Sequence, residues 1–590
     1  MKKYYLLFVL IAGSLYAQVP TPTFVHGLET DAINGGVYLS ATASELDSEG
    51  NLIVLGKFNG EVDVDPNLTT YLLTKDPNSP EYWYTDFFLA KYNSNGGLIW
   101  AMNIGDQGHI TPMSLAIDQG DNISVAGLVN GTVDFDPSDA QQIIETNGKT
   151  NGFVVLYSSI GNFKWLKSIN TNGSLLSNLK HVHNTSTTNN WTMVSGNFLG
   201  QITFVNSFPN PSTTISSTAN NQFEKNSFLA VIDSQALWST ITPLLDTDSM
   251  TIETLDLKIN EAVLATIGLG DGTMAGIHDF EIRRFDLSPL GSEIISLTTT
   301  GTSKIIVNDV DLDANDNVYI TGYYKGTVTD NGTIVLNDLS LPLQYNGFMI
   351  KTDPLGSVLW ARTFESVTSS SSCVPQGIVA ENNNVYLFGG FSGKVDLINY
   401  GGQHYYLENY GPTNSFMVRF DDTATFDWAH RFESTTLAPI SSLNVSGSNF
   451  YLFGCLRSLT EFNPNPMQST TLDITNGSKD FFIAKYGDIP APIGPPPFTR
   501  ANNPLKLPNT LEVYGSGSAY TLHYQSGDLQ TESHYQIFSN SGQVITTGIL
   551  NATGTAFQKY LDLSSLSSGV YVVRVIQGGS VQSKRILVAN

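Results

Sequence analysis

The chain has 590 residues and a formal charge of −24, from 53 acidic and 29 basic side chains. Nucleic acid and anionic membrane are poor partners for such a chain because both would repel it, and the length calls for several domains rather than one core. Glycine is abundant at 52 residues and only 14% of residues are charged, so Ser, Thr and Asn must supply polar surface, a composition of strands and turns.

The N-terminus opens with Lys2-Lys3, an apolar stretch from Tyr4 to Leu15, and the small residue Ala17. A charged start and about a dozen apolar residues predict a signal peptide, residues 1–17, too short for the roughly 20 residues of a membrane-spanning helix. No cysteine follows the cleavage point, so a lipid anchor is not expected. No second long apolar run predicts a transmembrane segment.

Residues 21–489 carry seven copies of one unit. Its clearest marker is a strand with phenylalanine near its start: Phe87, Phe153, Phe228, Phe280, Phe348, Phe416 and Phe481, at intervals of 52 to 75 residues. A strand ending in glycine precedes each (Gly56, Gly127, Gly196, Gly268, Gly322, Gly389, Gly454), and a strand with tryptophan follows five of them (Trp100, Trp165, Trp238, Trp360, Trp428). Each unit reads as four short strands separated by Gly/Asn/Asp turns. One such unit cannot bury its apolar faces alone, and an array of them stacks. The predicted fold is all-β, a seven-bladed β-propeller, with Phe and Trp as core between blades. The last unit lacks its tryptophan strand, and residues 21–27 are expected to fill that place. The units resemble bacterial β-propeller repeats of the SBBP type, a resemblance that implies no chemistry.

Several constellations invite chemistry. Asp63 with Asp65, and Asp134 with Asp136, place alternate carboxylates on one strand, with echoes at Asp396 and Glu461; calcium is their candidate ligand. Charged residues at a sheet edge also prevent aggregation, which is the plainer reading. Asp309 to Asn317 is rich in Asp and Asn but lacks the glycine and distal glutamate of a calcium loop, and reads as a hairpin turn closed by Asx hydrogen bonds. His181 and His183, on one strand face, offer half of a zinc site, but no third ligand is nearby in sequence and the plainer reading is structural. Cys373 and Cys455 are expected as separate buried thiols. No nucleophile elbow, zinc-protease motif or phosphate loop is present.

Pro490 to Pro497 begins a stiff linker, residues 490–507, and residues 508–590 alternate as strands of a small β-sandwich. They include Tyr535-Gln-Ile-Phe-Ser-Asn-Ser-Gly542, then Leu561-Asp-Leu-Ser-Ser-Leu-Ser-Ser-Gly569-Val-Tyr571-Val-Val-Arg574-Val, and end Lys584-Arg585-Ile-Leu-Val-Ala-Asn590. This segment resembles the type A C-terminal sorting domain of the type IX secretion system of Bacteroidetes. The resemblance implies passage through the periplasm, recognition by the secretion machinery at the outer membrane, and release or attachment at the surface. It points to Gly569, Tyr571, Lys584 and Arg585 as the sorting signal. The passenger is expected to be a non-catalytic module binding glycan or protein, through loops such as Asp76–Tyr84 with its Tyr82-Trp83-Tyr84 run, or Asn206–Lys225. A polysaccharide hydrolase and a passive matrix component are the competing expectations. No cofactor beyond calcium is implied.

Overall fold

The computed structural model describes residues 20–31, 39–487 and 510–588, except for short internal stretches, the longest being 184–190, 218–225, 245–250, 271–276, 286–291, 338–343 and 526–532. The expected signal peptide and linker lie outside the described residues, as does Tyr82. Strands dominate, and no helix occurs among the described residues. The chain divides into two compact units, Met1–Pro492 and Ile493–Asn590.

In the first unit each repeat forms a sheet whose four strands lie side by side in chain order. The first repeat contributes Ser40–Leu46, Leu52–Phe58, Asp86–Tyr92 and Leu98–Ile104. The seventh supplies three strands, Ile440–Ser446, Asn449–Leu456 and Asp480–Tyr486, and Pro22–Leu28 occupies the fourth place, antiparallel, with Val25 opposite Ala484. The first strands of successive repeats pack against each other, and that of the seventh packs against that of the first. There Ser44 Oγ lies 2.5 Å from Ser442 Oγ, and Asn444 Nδ2 donates to Ser44 Oγ at 2.6 Å.

The core lies between repeats. Leu52, Val54, Phe88 and Ala90 of the first repeat pack with Phe453, Phe481 and Ile483 of the seventh. Ile53, Leu55, Phe87 and Leu89, pointing the other way, pack with Val125 and Phe153 of the second. Both faces of each middle strand are therefore buried, which is why they read as unbroken apolar runs. This corrects the phenylalanine marker. The residue facing the glycine is Phe88 in the first repeat and Phe482 in the seventh, opposite Gly56 and Gly454, just as Phe153 faces Gly127. Phe87 and Phe481 belong to the opposite face. A run apolar on both faces carries no phase, and a one-residue slip exchanges the faces. The glycine itself is steric. A Cβ on Gly56 would stand 2.5 Å from the Phe88 ring, and one on Gly127 would stand 2.4 Å from the Thr111 carbonyl oxygen.

Polar clasps repeat as well. Lys91 Nζ and Trp100 Nε1 both donate to the Ser159 carbonyl in the next repeat, each at 3.3 Å. Lys351 Nζ and Trp360 Nε1 donate to the Asp422 carbonyl at 3.3 and 3.1 Å. Lys485 of the seventh repeat donates to the Ser94 carbonyl of the first at 2.8 Å, so the same contact spans the join between chain start and end. A hairpin between second and third strands often reaches back to the preceding repeat. Lys394–Asp396 pairs with Val358–Ser366, and Thr460–Glu461 with Phe426–Ser434.

The second unit holds two four-stranded sheets over one core, in which Leu522, Tyr524, Ile537, Val573, Val575 and Val588 are buried.

Candidate functional site

Among the described residues the first strand of each repeat stands at the edge of its sheet. Two cavities, of about 680 and 530 Å³, lie along these edges at the two ends of a set of residues that line both, Thr42, Met113, Lys180 and Asn308. The larger end gathers Glu45, Asp118, Asp121, Asp309, Asp311 and Glu381. No carboxylate lines the smaller end among the described residues; its charged groups are Lys57 and Lys180.

The acidic end is built largely for structure. Asp309 Oδ2 accepts from the Ile378 backbone N–H at 2.9 Å, and Asp311 Oδ2 from Ala380 N–H at 2.8 Å, so carboxylates of the fifth repeat satisfy the bare inner edge of the sixth. Asp121 accepts from Ser48 N–H at 2.9 Å and from its hydroxyl at 2.7 Å. Burial, with help from Asp311, raises the Glu381 pKa. Asp313 accepts from the N–H groups of Asn315 and Asn317 at 2.9 and 3.0 Å, the geometry of an Asx-closed turn.

The paired acids stand on the reaching-back hairpins and share one job. Asp63 Oδ1 accepts from Asp65 N–H at 3.1 Å and Tyr71 N–H at 2.9 Å; Asp134 Oδ1 accepts from Asp136 N–H at 3.0 Å and Gln142 N–H at 2.8 Å. Asp396 and Glu461 repeat the pattern with Ile398 and Tyr405, and with Asn463 and Thr470. The second acids, Asp65 and Asp136, accept from Asn67 and Ser138 N–H. Between each pair of acids sits a buried apolar residue whose carbonyl takes a buried tyrosine hydroxyl, Tyr92 to Val64 at 2.8 Å and Tyr157 to Phe135 at 2.9 Å. Each first carboxylate thus ties a loop across its neck. Among the described residues no group of three or more His, Cys, Asp or Glu side chains is placed to hold a metal ion.

His181 is buried, with Nε2 2.6 Å from Ser124 Oγ; the His183 side chain lies outside the described residues. Cys373 and Cys455 are free and buried in different clusters, and Cys455 Sγ accepts from Ala41 N–H at 3.2 Å. Burial pushes both thiols up, Cys373 to about 12 and Cys455 to about 11.

Trp83 is 41% exposed and stands with Tyr84 and His109, the three ring centroids 4.6 to 5.6 Å apart. Thr85 N–H donates to His109 Nδ1 at 3.1 Å, which leaves Nε2 carrying the proton toward Thr111 Oγ1 at 3.3 Å. Burial, then Lys57 and Lys75, lower the His109 pKa to about 4, so the ring is neutral. Lys57 and the passage lining escaped the sequence reading. The signal available was the polar residues alternating along the first strands, such as Ser44, Ser114, Asn308 and Ser442.

In the second unit, Gly569 opens the strand Gly569–Gln577 opposite Val588. Tyr571 is buried and its hydroxyl donates to the Ser567 carbonyl at 2.9 Å. Lys584 is exposed opposite Val573, and Arg585 pairs through its backbone with Val572. Residues 518–589 match the family described as secretion system C-terminal sorting domain. This segment is a type IX sorting domain. The sorting domain directs the chain to the cell surface or the medium. A Cβ at its Gly569 would meet nothing closer than 3.8 Å, so packing does not demand glycine there.

The chain is similar to an uncharacterized WD repeat-containing protein of Acanthamoeba polyphaga mimivirus, 24% identical over 526 residues, covering 75% of this chain and 37% of that protein. The chain therefore spans little more than a third of that relative's length. Among solved structures, a tetra-tandem repeat from the extending region of a large adhesion protein is 10% identical, covering 94% of this chain and 99% of that one, at a TM-score of 0.12. The BSP domain of a biofilm associated protein is 11% identical, covering 97% and 99%, also at 0.12. Scores that low carry no argument about this fold.

Proposed function

We propose that the sorting domain, itself a small β-sandwich, exports a seven-bladed β-propeller that works outside the cell as a non-catalytic module binding glycan or protein. The observation that carries it is the contact order of the first strands, in which the seventh repeat packs on the first through Ser44, Ser442 and Lys485. Seven sheets related in that way place their connecting loops on two faces around a common passage, the usual docking surface of a propeller. The name of the WD repeat-containing relative agrees, since WD repeats build propeller blades. Residues 1–17 act as the signal peptide that delivers the chain to the periplasm. Asp309 and Asp311 each spend an oxygen on a backbone N–H of the next repeat, and Asp121 spends both on Ser48, which gives these carboxylates a structural task and supports the binding reading over hydrolysis.

Deletion of residues 508–590 should trap the passenger in the periplasm; export at the normal level would overturn the sorting role. The exported protein, screened against a glycan array and extracellular matrix proteins with product release followed in parallel, should bind saturably without turnover. Released product would make it a hydrolase, and silence on both readouts would make it a passive surface component.

A further inference from the structure

The two ends of the passage differ in charge, and the difference runs against the whole molecule. A chain of net charge −24 carries six carboxylates around one end, while at the other the charged groups among the described residues are Lys57 and Lys180, the latter lining both ends. At the lysine end Lys57 is half-buried, has no carboxylate partner among the described residues, and feels the like charge of Lys479. Burial first, and Lys479 second, lower its pKa. An ammonium group partly desolvated beside a second cation is an unfavourable arrangement that an incoming anion relieves.

The aromatic cluster sits beside this same end. His109 hydrogen-bonds Thr111, which lines the cavity, and Lys57, another lining residue, is close enough to shift the imidazole. Trp83 packs on His109, so an exposed indole stands one ring removed from Thr111 in the lining of a cavity of about 530 Å³, a volume within the usual range of ligand pockets. The remaining lining supplies neutral hydrogen-bonding groups, Ser40, Thr111, Asn178 and Asn308. An aromatic face, hydroxyls and amides, and an unneutralised cation are the three contacts of an acidic sugar. Its C–H face packs on indole, its hydroxyls bond the amides, and its carboxylate or sulfate meets ammonium.

We infer that the Trp83–Tyr84–His109 cluster and Lys57, at the mouth whose described lining carries lysines, form a binding site for acidic polysaccharide. The inference rests on the binding-module reading and gives it a place and a ligand class. A neutral glycan would leave Lys57 unmatched, and the hydroxyl- and amide-rich lining suits the hydroxyls of a sugar.

Isothermal titration of the exported protein with oligogalacturonate, a sulfated galactan oligosaccharide and a neutral β-glucan oligosaccharide tests it. At least one acidic ligand should bind saturably, and the stronger of the two identifies carboxylate or sulfate as the recognised group. Trp83→Ala and Lys57→Met should each weaken that binding about tenfold or more, and raising NaCl from about 50 to 300 mM should weaken it further. Lys164→Met removes an exposed lysine that bonds Asn122 and should leave binding unchanged. Unchanged melting midpoints would show that the variants are folded. Equal affinity for the neutral glucan, or wild-type binding by both site variants, would overturn the site. Silence on all three ligands would overturn it too, while hits on a broader array would preserve the binding module without it.

Discussion

Asp86 shows how one side chain departs from a repeated design. The residue two before the repeat phenylalanine is Asn151, Asn346 or Asp480 in other repeats, and its oxygen accepts a backbone N–H from Thr171, Ser366 or Thr30, at 3.1, 2.8 and 3.0 Å. Asp86 instead receives Asp76 N–H at 3.2 Å and Asn103 Nδ2 at 3.4 Å on one oxygen, while the buried Oδ1 has no partner among the described residues. Burial raises its pKa to about 7. A carboxyl whose folded pKa lies above its unfolded value favours the folded state when protonated, and that contribution fades as pH rises through 7. Asp86→Asn should therefore stabilise the protein more at pH 8 than at pH 5, the difference being on the order of 2 kcal/mol, and should approach neutrality only below the ordinary carboxylate pKa of about 4. Melting curves at both pH values check this, and a gap independent of pH would refute it. Two glycines make a second contrast. Gly127→Ala drives a Cβ into the Thr111 carbonyl and should cost about 1 to 3 kcal/mol. Gly569→Ala has room, so it should leave the melting midpoint unchanged; if export nevertheless falls, the glycine serves recognition rather than folding.

At the scale of the element, the reaching-back hairpins explain acids that the sequence offered to calcium. Their first carboxylates close loops by accepting two backbone N–H groups each, and such charge-assisted bonds are costly to lose when part-buried. Asp134→Ala should lower stability by about 1 to 3 kcal/mol, while a chelator leaves the midpoint of the parent protein unchanged. A fall in midpoint on chelation would return these loops to calcium. The strand Pro22–Leu28 makes the parallel case for closure. It supplies the outer edge of the seventh sheet, and Thr30 just beyond it bonds Asp480. Removing residues 20–31 exposes that edge, so the variant should melt earlier and aggregate. A synthetic peptide of residues 20–31 added in trans should recover part of the loss, and an unaltered midpoint after the deletion would count against closure.

For the whole molecule the decisive property is whether seven repeats form one body or a string. A compact passenger of residues 18–490 has an expected radius of gyration of about 23 Å, and solution scattering separates this from an extended array, which would be far larger. Much of this was legible in the chain. Repeat length, turn residues, the glycine marker and the sorting motif are local patterns, and local patterns are written in order along a sequence. What the sequence left open was phase and partnership. Phe87 and Phe88 are indistinguishable in a run buried on both faces; only the ladder opposite Gly56 decides which faces the seventh repeat and which the second. Asp63 and Asp309 both read as acids near turns, yet one closes its own loop and the other caps a strand of the next repeat. Lys57 gave no sign of itself at all, since its distinction is the company it keeps in a cavity drawn from strands hundreds of residues apart, where no carboxylate stands among the described lining residues. Composition and periodicity determined the strands, and the resemblance of the last residues to a sorting domain determined the route out of the cell. The charge around each mouth of the passage was decided only when the strands came together, because it is a sum over residues that are neighbours in space alone.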